Sequence, residues 1–239
     1  VPGFANDSGV VDAVGEEVLV YTNVDAPNYR VVRVDPKNPD KAGWVDVIPE
    51  RADVLRGANA AGGRLYCSYL KDANTKIFEH GLDGALVREI ALPALGTAGG
   101  FYGKRAETTL FYTFTSFTYP PTIYKYDIAS GTSDVFRKTE VKFNPEDYET
   151  RQVFYASKDG TKVPMFLVFK KGLAQDGRNP VFLTGYGGFN ISELPSFSPA
   201  RIVLLENGCI YALPNLRGGG EYGEAWHKAG MLLNKQNVF

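Results

Sequence analysis

The chain has 239 residues, 44% of them hydrophobic and 22% charged, with a formal net charge of −1. Such a composition is ordinary for a folded globular chain, and the near-zero charge argues against a polyanion, so no nucleic acid partner is expected. No apolar run approaches the roughly 20 residues needed to span a bilayer, so no membrane partner is expected either.

Residues 1 to about 142 read as short strands separated by turns, dense in the Tyr and Phe that favour β-structure. Residues 18–21, 65–69 and 110–114 are strands of similar composition. Each is followed, after a polar turn, by a strand running to an aspartate: Asp35, Asp83 and Asp127. The aspartates recur at roughly 45-residue spacing, a period that suits four-stranded propeller blades. Asp83-Gly84 and Ser130-Gly131 suit hairpin turns. From the residues alone, a β-sandwich with chance spacing fits as well as a propeller. Cys67 and Cys209 each lie inside an apolar strand and are expected as two buried free thiols.

From about residue 143 the pattern changes. Residues 149–156 and 163–170 form two strands around the turn Lys158-Asp159-Gly160, followed by a polar loop over 172–179. Residues 181–184 are a short apolar run, expected to be a strand buried on both faces. The run breaks at Gly185, Tyr186, Gly187 and Gly188. Ser198 suits an N-cap and Pro199 the first position of a helix through Glu206, which Asn207-Gly208 ends. Residues 209–213 are the next strand, expected to lie parallel to the previous one, and a glycine-rich turn follows over 215–223. Ligand-binding groups in such sheets collect at the strand C-termini, where Tyr186 and residues 218–223 fall. A helix is then expected from about Ala225, with Trp226, Gly230, Leu233 and Asn237 at helical spacing.

The stretches GYGGFNIS (185–192) and NLRGGGEYGEAWHKAG (215–230), with KQN at 235–237, resemble the prolyl oligopeptidase family of serine peptidases. The resemblance extends upstream through SKDGTKVPMFLVFKKG (157–172) and more weakly beyond, while Thr184 and Pro214 depart from the family pattern. Glu221-Tyr222-Gly223 resembles the prolyl-specific branch. The resemblance implies a partial β-propeller of about three blades over residues 1–142, open here, and the N-terminal part of an α/β-hydrolase domain over 143–239. It implies a serine-type peptidase that cleaves short proline-containing peptides after proline, with its catalytic serine, aspartate and histidine beyond Phe239. It implies that Tyr186 donates its hydroxyl to the oxyanion and that Phe189 lines the pocket for the proline side chain.

Within the chain no serine stands in the G-x-S-x-G context of a hydrolase nucleophile; Ser192 and Ser198 read as loop and helix-cap residues. The two histidines, His80 and His227, read as structural. Asn190, Arg217 and Glu221 also read as structural, with Arg217 expected to pair with Glu221 or Glu224. Gly218, Gly220 and Gly223 spell G-x-G-x-x-G, but Asn215 and Arg217 make a poor nucleotide-binding strand, so no dinucleotide is expected. No Walker sequence and no Cys/His metal spacing occurs, so no cofactor and no metal are expected. The alternative to a peptidase is a non-catalytic propeller module that binds a partner.

Overall fold

The structure, a computed structural model, describes residues 6–239, so residues 1–5 of the expected first domain lie outside the described residues. Among the described residues the strands form four sheets of four strands each. Three of these are antiparallel meanders that follow one another along the chain: β1 (Ser8–Val14), β2 (Glu17–Thr22), β3 (Arg30–Val34) and β4 (Val45–Ile48); β5 (Val54–Ala61), β6 (Arg64–Lys71), β7 (Asn74–Gly81) and β8 (Leu86–Ile90); β9 (Thr97–Gly100), β10 (Thr109–Thr115), β11 (Thr122–Asp127) and β12 (Ser133–Lys138). Consecutive four-stranded meanders are propeller blades. The repeat visible in the sequence corresponds to the second and third strand of each blade.

Side-chain alternation shows how the blades stack. In β6 the run from Leu65 to Leu70 is almost continuously apolar because both faces of the middle blade are covered. Leu65, Cys67 and Tyr69 pack against Leu19, Val31 and Ile48 of the first blade. Tyr66, from the opposite face, joins Phe101, Tyr112, Tyr124 and Tyr126 of the third. In β10 the pattern alternates instead: Leu110, Tyr112 and Phe114 point into the core, while Phe111 is exposed. Phe136 of β12 lies beside Phe111 on that outward face, which leaves the propeller portion open. Between the second and third blades the rings form a stack, with Phe101 4.7 Å from Tyr112 and 5.1 Å from Tyr66, each pair contributing about 0.5–1.5 kcal/mol beyond its buried area. The buried carboxylate of Glu79 ties the same blades together, accepting the Tyr126 hydroxyl at 2.5 Å and lying 3.3 Å from Arg88 and 3.5 Å from Arg64.

The fourth sheet has the order β13-β14-β16-β15. β13 (Tyr148–Ala156) and β14 (Lys162–Lys170) form the hairpin expected from the sequence. β15 (Val181–Leu183) pairs parallel with β16 (Ile210–Pro214), and α1 (Pro199–Glu206) lies between them in the chain. Its Ile202 and Leu205 pack on Phe166, Val168, Tyr211 and Leu213, in a core that also takes in Ala73 and Phe117 from the blades. The propeller and the fourth sheet therefore share one apolar junction.

Two expectations are corrected. β15 is not buried on both faces: it is the edge strand, and Val181, Phe182 and Leu183 are all exposed. Its apolar run records a demand for burial that the four strands present do not meet. The final helix is not continuous either. α2 (Gly223–Lys228) is short and stops before Gly230, and a 3-10 segment (Leu232–Val238) follows. The break has a tertiary cause, because Gly230 lies directly against the backbone of Arg217 and Gly218. Ser198 does occupy the cap of α1, but its side chain makes no capping hydrogen bond.

Candidate functional site

Two glycine-rich loops leave the C-terminal ends of the parallel pair side by side. The first follows β15 and carries Tyr186 and Phe189; the second follows β16 and runs from Asn215 to Tyr222. They touch backbone to backbone. Gly187 has φ +64°, and a Cβ on Gly218 would lie 2.5 Å from the Gly187 carbonyl oxygen. Only residues without side chains permit this approach. Of the G-x-G-x-x-G spelling, Gly218 is required by this packing of the two loops.

Tyr186 is 48% exposed, and among the described residues no protein group bonds its hydroxyl. Phe189 is 84% exposed, so it is not a core phenylalanine. Its ring lies 6.5 Å from that of Tyr186, and the structure brings the two together on one exposed face. Phe189 and Asn190 are the central residues of a turn closed by Ile191 N–H on the Gly188 carbonyl at 3.0 Å, with φ of +53° and +57°. Positive φ at both positions marks a type I′ turn, and holding a Phe there costs on the order of 1–3 kcal/mol. The strain is carried by the second loop, whose Gly218 carbonyl accepts Asn190 N–H at 3.0 Å.

The second loop clamps the first again further along. Glu221, only 1% exposed, accepts the backbone N–H of Glu193 at 2.9 Å. Asn215 donates to the Glu193 carbonyl at 2.7 Å, so one residue of the first loop is held by both its peptide groups. Burial pushes the Glu221 carboxyl above the ordinary value for a glutamate. Lys235 of the 3-10 segment donates to the Gly187 carbonyl at 2.5 Å. In the sequence Lys235 is visible only as part of KQN, because its partner is a backbone oxygen.

Arg217 pairs with neither Glu221 nor Glu224. Its guanidinium donates to Asp159, to Ser157 Oγ at 2.9 Å and to Thr161 Oγ1 at 3.3 Å. The β14–β16 register explains this: Met165 faces Pro214, which brings the β13–β14 turn over the start of the second loop. Glu224 pairs instead with Lys228 on α2 at 3.3 Å. The Arg217 guanidinium holds the Asp159 carboxyl down to about 2. A depressed carboxylate stabilises the fold fully above its ordinary value near 3.8 and loses that contribution as pH falls toward 2. Between about pH 4 and 2, Asp159→Asn should therefore flatten the decline in unfolding midpoint relative to wild type. Parallel declines in acid melts would contradict the pairing.

His80 is buried, with Nδ1 2.9 Å from the Gly84 carbonyl oxygen, and burial lowers its pKa. His227 lies on α2, Cys67 and Cys209 are buried free thiols, and the described residues hold no group of three or more His, Cys, Asp or Glu placed for a metal. No described helix is long and apolar enough to cross a membrane. A contact not visible in the sequence joins the two units: Tyr222 donates to Asp72 of the β6–β7 turn at 2.7 Å. Beside it, Tyr21, Tyr29 and Arg56 of the blades face Asn190, Gly220 and Glu224 across a cleft of about 210 Å³.

Residues 1–139 match the family model described as "Prolyl oligopeptidase, N-terminal beta-propeller domain". The chain belongs to the prolyl oligopeptidase family. Residues 195–239 match a second model, described as "Prolyl oligopeptidase family". Among curated prolyl oligopeptidases, the prolyl endopeptidase of Elizabethkingia miricola is 50% identical over 239 residues, which is all of this chain and 34% of that protein. A solved structure from a study of two prolyl endopeptidases and the role of inter-domain dynamics in their catalysis and specificity superposes with a TM-score of 0.93 at 44% identity, over 100% of this chain and 35% of that one. Prolyl oligopeptidase B of Galerina marginata, bound to a 35-residue hydrolysis and macrocyclization substrate, superposes with a TM-score of 0.92 at 34% identity, over 100% of this chain and 34% of that one. The chain thus spans about a third of the length of the prolyl oligopeptidases it matches, and it joins a propeller portion to the first part of an α/β-hydrolase domain.

Proposed function

We propose that this chain works as part of a serine-type prolyl endopeptidase that cleaves short peptides after proline, with the propeller portion ending at residue 142 and the peptidase portion beginning at 143. The observation that carries the reading is the exposed hydroxyl of Tyr186, unpartnered among the described residues and placed beside Phe189 on a loop pinned at the end of a parallel strand. When a nucleophile adds to a scissile carbonyl, negative charge develops on the carbonyl oxygen, and a fixed O–H donor stabilises that charge. Tyr186 supplies the donor. Phe189 offers an apolar ring against which a proline side chain packs. No residue of the 239 supplies an activated serine, so the nucleophile and its base come from elsewhere in the protein.

The test is a panel of short chromogenic peptides that differ only in the residue before the scissile bond, assayed with the full-length protein. Cleavage after proline, much faster than after alanine or arginine, is the expected result. Peptide binding without cleavage would overturn the proposal in favour of a binding module. Preferred cleavage after basic residues would overturn the proline assignment alone.

A further inference from the structure

Tyr186 lies in a stretch without regular structure between β15 and α1, flanked by Gly185, Gly187 and Gly188. Glycines leave the backbone many conformations, whereas an oxyanion donor must be held in place before the reaction. Something must therefore fix this loop. Two of its fasteners act beyond Tyr186: the Gly218 carbonyl on Asn190, and the Glu221–Asn215 clamp on Glu193. Among the described residues, the side chain that hydrogen-bonds Gly187, the residue adjoining Tyr186, is Lys235, which donates to its carbonyl at 2.5 Å.

The 3-10 segment supports this contact from beneath. Val238, three residues on, is buried under Gly187, where a Cβ would lie 2.6 Å from Val238 Cγ1. Lys235 also lies 5.7 Å from the centre of the Phe239 ring, which limits where its ammonium can go. Lys235 is therefore a half-buried cation whose hydrogen-bond partner is a carbonyl rather than a carboxylate, in contact with the loop of the oxyanion donor. A charge-assisted bond to a carbonyl fixes the orientation of that peptide plane more firmly than a neutral one would.

We infer that Lys235 is a positioning residue for Tyr186: its ammonium fixes the Gly187 peptide and so sets where the Tyr186 hydroxyl points. The inference rests on the oxyanion reading of Tyr186. A double-mutant cycle in the full-length protein tests both and separates them. Lys235→Met should lower kcat about 10- to 100-fold, the loss that a misplaced catalytic group produces, with little change in KM. Lys235→Arg, which keeps a cationic donor of similar reach, should restore most of the loss. In a Tyr186→Phe background, Lys235→Met should cost almost nothing further, because the hydroxyl it positions is gone. If the Lys235→Met loss is as large in that background, or if KM rises while kcat holds, the positioning role is overturned and the oxyanion role of Tyr186 stands. If Tyr186→Phe alone leaves kcat unchanged, both are overturned. Should Lys235→Met fail to fold, Lys235→Gln enters the same cycle under the same criteria.

Discussion

Tyr186→Phe in the full-length protein is expected to lower kcat about 100- to 1000-fold, the loss recorded when one preorganised oxyanion donor is removed. The geometry makes the substitution selective. It removes one hydroxyl that bonds no protein group among the described residues, and the ring that remains keeps its neighbour Phe189. Folding should therefore be nearly unchanged, and KM should shift little, because the lost interaction belongs to the transition state. Substrates with better leaving groups need less oxyanion stabilisation and should lose less. Steady-state kinetics with melting curves as a control decide the matter. An unchanged kcat in a folded variant would make Tyr186 a packing residue.

The second large effect is on stability, at Gly230. A Cβ there would lie 2.3 Å from the carbonyl carbon of Arg217 and 2.4 Å from the amide nitrogen of Gly218. Both are backbone atoms of the second loop, so no side chain can rotate away. The same region holds the Gly218 N–H on the Trp226 carbonyl at 2.9 Å and Trp226 Nε1–H on the Leu216 carbonyl at 3.1 Å. Gly230→Ala must push α2 off the loop and strain these bonds. Overpacking of this kind costs about 1–3 kcal/mol, and backbone-to-backbone contact places this site at or above the upper end. Gly9→Ala is the matched control, since a Cβ on Gly9 meets nothing within 4 Å, and it should change stability by less than about 0.5 kcal/mol. Urea denaturation of the two variants measures the difference. Equal midpoints would show that the loop and α2 are not packed as described.

Much of the fold was legible in the sequence, for a physical reason. The second and third strands of each blade are inner strands, and their buried faces demand the Tyr, Phe and Leu that made the repeat visible. Outer strands were not recognised: β12 is almost wholly exposed, and its residues SDVFRK carry little burial signal. β15 was misread because an apolar triplet reports that a strand needs covering, not that it has been covered. The long final helix was misread because its spacing is helical while its interruption is set by a loop far back in the chain. Arg217 was assigned to nearby acids by sequence distance, but side chains in an irregular loop do not follow helical spacing, and its partner Asp159 lies 58 residues away. Tyr186 and Phe189 were singled out as candidates from their motif alone, and the structure brings their rings together on one exposed face. The clamp that holds their loop was not, since Lys235, Asn215 and Glu221 all act on backbone groups, which leave no mark on the sequence of the loop they bind.

The central claim is that this chain furnishes the oxyanion side of a serine peptidase site while the nucleophile lies outside its 239 residues. The most direct test is to label the full-length, catalytically active protein with a serine-reactive fluorophosphonate and to map the adduct by peptide mass spectrometry. The account predicts a single labelled serine outside the residues described above, and no labelling or peptide hydrolysis when the 239-residue chain is treated alone. Stoichiometric, activity-linked labelling of Ser192, Ser198 or any other serine of this chain would contradict it.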